Sequence, residues 1–117
     1  RWRKVTGGGW RQAGILAAAG LYALDHHVAR LADDHRRATQ LADRLRAITG
    51  IDLLGQHTNM VFIDVPAARL RELDVHLREA GIRISIGYLP TLRLVTHLDI
   101  DDQAVERVVT SFAEFFA

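Results

Sequence analysis

The stretch TLRLVTHLDI, residues 91–100, decides the fold class because it places a strand pattern directly before the start of a helix. Leu92 and Leu94 alternate with less apolar positions, and a period of two predicts a strand with one buried face. The same alternation turns Arg93 away from the leucines. Such a strand needs partner strands and a helical layer over its apolar face, so the rest of the sequence must supply both.

Three amphipathic helices are predicted by apolar residues that recur at spacings of three and four. The first ends near Gly50, and the second is stopped by Gly81. Asp99 or Asp101 caps the start of the third. Their stripes contain Val28, Leu31, His35, Ala38, Leu41, Leu45 and Ile48, then Leu70, Leu73, Leu77 and Ala80, then Val105, Val108, Val109, Phe112 and Phe115.

A further helix is predicted from Gln12 to about Leu24, where alanine, leucine and glycine dominate. Small and apolar residues occur on every side of it, which predicts close packing on all faces.

Four strands are predicted, with the polar segment LGQHT separating the first two and a loop with Gly87 and Pro90 preceding the last. They are IDLL (51–54), NMVFIDV (59–65), the alternating Ile82, Ile84 and Ile86, and TLRLVTH (91–97). The resulting order is two helices, then strand, strand, helix, strand, strand, helix. This order predicts an α+β fold with a short, mostly antiparallel sheet and helices on one side.

Composition excludes several classes of protein. The 117 residues suit a single domain of ordinary globular composition, with 49% hydrophobic and 25% charged residues. Cysteine is absent, which excludes disulfides and thiolate chemistry. The longest apolar stretch, AGILAAAGLYAL, is too short to cross a bilayer. We therefore expect a soluble, cytoplasmic protein without a membrane partner, and the basic start without methionine predicts a fragment.

Charge is unevenly distributed along the chain. Residues 1–11 contain four cations and no acid, and the remainder is mildly acidic. This pattern favours a small local anion site over a nucleic-acid surface, which needs a broad basic face.

Two places are candidates for chemistry. The glycines of KVTGGGWRQ precede a predicted helix, so Gly8, Gly9 and Trp10 could offer backbone N–H groups to a phosphate or carboxylate, with Lys4 and Arg11 beside them. The alternative is a tight turn with solvated cations, because the spacing matches neither phosphate-loop motif.

The second candidate is Arg93, which projects from a strand and could grip a carboxylate with its planar fork. The alternative is an arginine lying flat on the solvent face of an edge strand.

The histidines, a serine triad and Lys4 are weaker candidates for a functional site. The six histidines show no H-x-x-x-H spacing on a helix, so no metal site is predicted. His35 is predicted to be a packed or boundary residue, and His97 a hydrogen-bonding group at a strand end. No G-x-S-x-G motif supports a serine triad. Lys4 is the sole lysine and lacks the features of a cofactor lysine.

Three segments together carry a resemblance to a family: RWRKVTGGGWRQAGILAAAGLYAL, TNMVFIDV and RLVTHLDI. The chain closely resembles the C-terminal part of the low-specificity L-threonine aldolases, which are pyridoxal-phosphate enzymes of fold type I. The resemblance covers essentially all 117 residues. Trp10 departs from the family, which usually has methionine after the glycines.

The resemblance implies roles for three residues. Lys4 and Arg11 match cations that help to hold cofactor phosphate or substrate across a subunit boundary, and Arg93 matches the arginine that binds the substrate carboxylate. No catalytic residue is expected in this chain, because the lysine that forms the Schiff base with pyridoxal 5'-phosphate lies upstream in the family.

The resemblance also implies an architecture and an activity. Residues 1–24 would be a remnant of the large cofactor domain, and residues 25–117 the small C-terminal α+β domain. The intact enzyme would cleave L-threonine and related β-hydroxy-α-amino acids to glycine and an aldehyde, as a dimer or a homotetrameric dimer of dimers. The fragment alone would be inactive. Two alternatives remain, a related pyridoxal-phosphate β-eliminating lyase and a non-catalytic anion-binding or oligomerisation module.

Overall fold

The computed structural model describes residues 1–87 and 90–117, and it is an α+β structure. The helices are α1 (Trp2–Val5), α2 (Gly14–His26), α3 (Leu31–Arg46), α4 (Leu70–Glu79) and α5 (Asp102–Phe116), with a 3-10 turn at Ala67–Arg69. The strands are β1 (Asp52–His57), β2 (Met60–Asp64) and β3 (Thr91–Val95). The predicted loop from Gly87 to Pro90 includes Tyr88 and Leu89, which are outside the described residues.

The strands form an antiparallel sheet in the order β1-β2-β3, as the short connections predict. Val61 lies opposite Leu94, and Phe62 lies opposite Arg93. A bulge between Leu53 and Gly55 interrupts the pairing of β1 with β2. Strand β3 is therefore an edge strand of the sheet that the structure describes.

The polar segment 54–58 is not the separator that we predicted, because most of it continues β1. The reversal occurs at Thr58 and Asn59, where Thr58 has φ 50° and its carbonyl accepts a 2.7 Å hydrogen bond from Gln56 Nε2. An edge strand tolerates polar residues because one of its sides faces water. The interruption in hydrophobicity therefore did not mark an interruption in pairing.

The predicted strand at Ile82, Ile84 and Ile86 is also wrong, because residues 82–87 form no ladder. The alternation itself is present, since these isoleucines are half-buried against the core while Arg83 and Ser85 are exposed. Alternating burial requires only an extended backbone with one apolar side. A strand requires hydrogen bonds to a neighbour as well.

Helices α3, α4 and α5 share one core with the inner face of the sheet. The buried apolar residues are Ala38, Leu41, Ala42, Leu45, Ile51, Val61, Ile63, Val65, Leu70, Leu73, Leu77, Leu92, Leu94, Val105, Val109 and Phe112. Each helix contributes buried residues spaced by three or four, which confirms the amphipathic pattern of the three helices. Three apolar members of the predicted stripes are exposed, Val28, Leu31 and Ala80, and Val28 precedes α3.

His35 is not the packed or boundary residue that we predicted. Its side chain is exposed, and Asp34 is buried in its place. The stripe of α3 passes through Asp34 because Thr96 Oγ1 donates a 2.7 Å hydrogen bond to the Asp34 carbonyl, which fixes this turn of the helix against the end of β3.

The predicted ends of two helices are confirmed. Asp101 caps α5, with its Oδ1 accepting a 2.7 Å hydrogen bond from the Ala104 N–H. Gly81 follows α4 at φ 74°, and the Ile82 N–H donates to the Leu77 carbonyl at 2.7 Å. This is the glycine-centred stop that satisfies the last carbonyls of a helix.

The chain divides into two units, residues Arg1–Leu31 and Ala32–Ala117. The first contains α1 and α2, and the second contains the sheet and core. Helix α2 is exposed along its whole length, contrary to the close packing that we predicted. The division at residue 24 remains a prediction. In the part of the chain that the structure describes, no helix is long and apolar enough to span a membrane.

Candidate functional site

Arg93 stands on β3 between two buried leucines, at the position that the alternation predicts. Leu92 and Leu94 have exposed fractions of 1% and 9%, whereas Arg93 is exposed. Its backbone pairs with Phe62 of β2, so its Cα is held by the sheet rather than by a loop. A rigid mount of this kind orients a guanidinium well.

No described residue forms a hydrogen bond or ion pair with the Arg93 side chain. Asp64 lies diagonally across the β2–β3 ladder, and it instead accepts a 2.6 Å hydrogen bond from Thr91 Oγ1. The five guanidinium N–H donors of Arg93 are therefore available to an anion.

Arg93 borders an open cavity of about 920 Å³ in the second unit, which we name the arginine cleft. Its cationic lining consists of Arg83, Arg93 and Arg107, with His97 beside them. No aspartate or glutamate occurs among the described residues that line it. Arg83 and Arg107, like Arg93, have no ion-pair partner among the described residues.

The arginine cleft also has apolar walls. Ile82, Ile84 and Ile86 contribute from the segment after α4, and Ile100 and Val108 contribute from the region of α5. Apolar surroundings lower the local dielectric, so a charge pair formed here is stronger than one in open water. The cleft therefore suits an anion that carries an apolar portion.

Arg83 and Arg107 were not singled out from the sequence, although a weak signal was available. Most exposed helical arginines here have an acid three or four residues away, such as Arg78 with Asp74 at 2.8 Å. Arg107 has Gln103, Ala104, Thr110 and Ser111 at those spacings. A cation without a local partner on an otherwise paired helix surface indicates a partner elsewhere.

His97 lies just after the end of β3, and its Nδ1 accepts a 3.3 Å hydrogen bond from the Asp99 N–H. It thus makes the strand-end hydrogen bond that we predicted. Among the described residues, no group of three or more histidine, aspartate or glutamate side chains converges on a metal-sized site.

The three glycines at 7–9 end a helix instead of beginning one. Gly7 has φ 86°, its N–H donates to the Lys4 carbonyl at 3.1 Å, and the Gly8 N–H donates to the Arg3 carbonyl at 2.7 Å. These bonds form a glycine stop on α1, and α2 begins only at Gly14. The prediction that Gly8 offers a free N–H to an anion is therefore wrong.

Lys4 and Arg11 are both exposed in the first unit, and neither pairs with a described acid. Arg3 instead stabilises the turn, since its Nη1 donates a 2.7 Å hydrogen bond to the Trp10 carbonyl. The first acid of the chain is Asp25. The charge of a phosphate dianion fits these two side-chain cations, and of the predicted backbone donors only the Gly8 N–H is shown to be used elsewhere.

Lys4 and Arg11 belong to the first unit and Arg93 to the second, so each candidate site is described within its own unit.

Comparison with known proteins relates residues 1–68, more than half of the chain, to the family described as beta-eliminating lyase. The chain belongs to the beta-eliminating lyase family. This beta-eliminating lyase chain is 44% identical over 117 residues to the low specificity L-threonine aldolase of Escherichia coli K12, covering all of this chain and 34% of that protein.

A second relative is the probable low-specificity L-threonine aldolase 2 of Arabidopsis thaliana, which is 36% identical over 122 residues. That comparison covers 99% of this chain and 34% of the relative. The beta-eliminating lyase chain thus spans about a third of the length of the curated relatives it matches.

Two solved structures share the fold of this beta-eliminating lyase chain. The aminotransferase TlmJ from Streptoalloteichus hindustanus matches with a TM-score of 0.57 and 17% identity, over 75% of this chain and 33% of that one. The ornithine aminotransferase from Toxoplasma gondii, which has partial occupancy of PLP at its active site, matches with a TM-score of 0.58 and 20% identity, over 75% and 23%. The fold is therefore aminotransferase-like.

Proposed function

We propose that the intact protein is a PLP-dependent threonine aldolase that cleaves L-threonine and related β-hydroxy-α-amino acids to glycine and an aldehyde. One structural observation carries the proposal: Arg93 stands on a rigid strand without an ion-pair partner among the described residues, and it lines a cleft whose described lining contains no acid. The names of the relatives support the reaction, since both are threonine aldolases. Residues 1–24 would belong to the large cofactor domain and residues 25–117 to the small C-terminal domain.

Arg93 binds the substrate carboxylate in this proposal. Its planar fork makes two parallel N–H···O bonds, which fix the carboxylate plane and with it the rotation about the bond to Cα. That rotation decides which bond at Cα is held in the orientation for cleavage. The apolar walls of the arginine cleft strengthen the ion pair by excluding water from its sides.

PLP, when bound, supplies the electron sink for the pair left on Cα as the Cα–Cβ bond breaks. Lys4 and Arg11 would hold its phosphate, from the subunit partner's side of a homo-oligomer. In this proposal, the lysine that binds the cofactor covalently lies outside these 117 residues. The intact enzyme is proposed to be cytoplasmic. This chain would then contribute substrate orientation and phosphate binding but no proton transfer.

The substitution Arg93→Ala tests the proposal in the intact enzyme. Loss of a charge-assisted pair in a partly apolar site costs about 2–5 kcal/mol, so kcat/KM for threonine should fall roughly 30-fold to several thousand-fold. Arg93→Lys should recover part of the loss, since it keeps the charge without the fork. Acetaldehyde release measures the rate, and the visible absorbance of bound cofactor should stay unchanged.

Two further variants assign the roles. Arg71→Ala removes an exposed arginine from α4 that does not line the arginine cleft, and it should leave the kinetics unchanged. Arg11→Ala should lower the cofactor content instead. Wild-type kinetics in Arg93→Ala, or cofactor loss in Arg93→Ala but not in Arg11→Ala, would refute this assignment.

A second candidate is β-elimination from a β-substituted amino acid, which the family description favours. The two reactions leave different products. Incubation of the intact enzyme with L-serine would release pyruvate and ammonia by elimination, whereas aldol cleavage would release formaldehyde and glycine. Aldehyde with glycine as the main products supports our proposal, and pyruvate with ammonia supports the second candidate.

A further inference from the structure

The arginine cleft contains more positive charge than one carboxylate requires. Arg93 alone accounts for the carboxylate of an amino acid in the proposed function. Arg83 and Arg107 line the same cavity, and no described acid lines it or pairs with either of them. Three like charges around one partly apolar cavity repel each other, and an anionic ligand relieves that repulsion.

The three arginines come from different elements of the fold. Arg93 projects from β3, Arg83 from the extended segment after α4, and Arg107 from α5. A single carboxylate on Arg93 leaves two cations from two other elements unsatisfied. The apolar lining, including Ile84 and Val108, suits a hydrocarbon portion of the same ligand.

We propose that the arginine cleft binds a ligand with two anionic groups joined by a short apolar chain, one on Arg93 and the other on Arg83 and Arg107. The inference rests on the proposed function for the role of Arg93, and it extends that function to a substrate class. That class is β-hydroxy-α-amino acids whose side chain ends in a second carboxylate. Arg83 and Arg107 are then specificity-determining residues.

Calorimetric titration of the intact protein with matched acids tests the proposal without depending on turnover. Glutarate and valerate both have five carbons and differ by one carboxylate. At physiological salt, where interactions between exposed charges are screened, glutarate should bind at least ten-fold more tightly than valerate. Equal affinity for the two acids would overturn the proposal.

Variants assign the second anionic group to its cations. In the double variant Arg83→Ala, Arg107→Ala, the advantage of glutarate should disappear while valerate binding is retained. Arg93→Ala should weaken both acids, and Arg71→Ala should change neither. Persistence of the glutarate advantage in the double variant would place the second carboxylate elsewhere and refute the inference. If the double variant loses the advantage of glutarate but the wild-type enzyme does not cleave threonine, only the proposed function is refuted.

Discussion

At the scale of single residues, Gly50 shows two separate requirements for glycine at one position. Its φ of 96° lies in the region that residues with a side chain rarely adopt. A Cβ built there would lie 2.9 Å from Cδ1 of Phe116, closer than van der Waals contact allows. Gly81 has a similar φ of 74° but open space around it. Comparing substitutions at Gly50 and Gly81 therefore separates the cost of backbone strain from the cost of steric contact.

We predict that Gly50→Ala destabilises the chain by roughly 2–4 kcal/mol, through strain and through displacement of Phe116 together. Gly81→Ala should cost about 1–2 kcal/mol, because only the backbone is strained. Urea unfolding followed by far-ultraviolet circular dichroism measures both. Equal losses in the two variants would show that the Phe116 ring moves aside without cost.

The candidate site illustrates which single-residue properties are readable from sequence. The orientation of Arg93 follows from its leucine neighbours, so local alternation was sufficient to predict it. The cleft that Arg93 shares with Arg83 and Arg107 forms from residues distant in sequence, and no local pattern indicates that they meet. The bonds of Gly8 also escaped prediction, because a glycine run is compatible with either end of a helix.

At the scale of elements, ion pairs join α3 to the start of α5. Arg36 Nη2 and Arg37 Nε each approach Asp102 Oδ1 at 2.9 Å, and Arg44 pairs with Glu106 one turn further on. Hydrogen bonds from Arg37 first, and from Arg36 second, hold the pKa of Asp102 below its ordinary value of 3.8. Two arginines that share one carboxylate fix the crossing of the two helices more firmly than a single pair would.

The lowered pKa of Asp102 predicts the pH dependence of stability. Its folded-state pKa is depressed, so its contribution is complete above the ordinary value of 3.8 and is lost as the pH falls through the lower folded-state pKa. Asp102→Asn should therefore lower the urea midpoint at pH 7, and the difference from wild type should shrink by pH 3. The exposed Asp43, which lies 3.5 Å from Arg46, gives the matched control Asp43→Asn with a smaller effect. A pH-independent difference would contradict this account.

The elements that were predicted correctly are those specified by contacts within a few residues. Helices α3, α4 and α5 follow from apolar spacing, and Asp101 and Gly81 mark their ends by local hydrogen bonding. The errors concern pairing. Nothing in Ile82–Ile86 indicates whether a neighbouring strand is available, and nothing in the polar residues of β1 indicates that β2 continues to pair with them.

At the scale of the whole molecule, the two units differ in how much of their apolar surface is buried. The second unit encloses its apolar residues in one core. The first exposes large apolar side chains along α2, among them Ile15 at 73% and Leu24 at 66%. A helix that is apolar on all sides is unlike the amphipathic helices found at protein surfaces. Surface of this kind associates with other apolar surface in water.

We therefore predict that the 117-residue chain self-associates through α2. Light scattering over a concentration series should give an average mass that rises with concentration. Replacing Ile15 and Leu24 together with lysine should reduce that rise, because each charge resists burial. Val75→Lys changes an apolar position on α4 that is also exposed, at 56%, and it should have little effect. A monomer at all concentrations would refute the prediction.

The order of the strands along the chain also determines how much conformational entropy is lost when each strand pairs. Asp52 pairs with Asp64 across 12 positions within the hairpin, whereas Thr91 reaches Asp64 across 27. Loop closure grows with the logarithm of length, so bringing β3 to the sheet costs roughly 0.7 kcal/mol more than forming the hairpin. The hairpin is the local part of this topology and β3 the non-local part. The arginine that we assign to substrate binding is thus carried by the strand whose docking restricts the chain most.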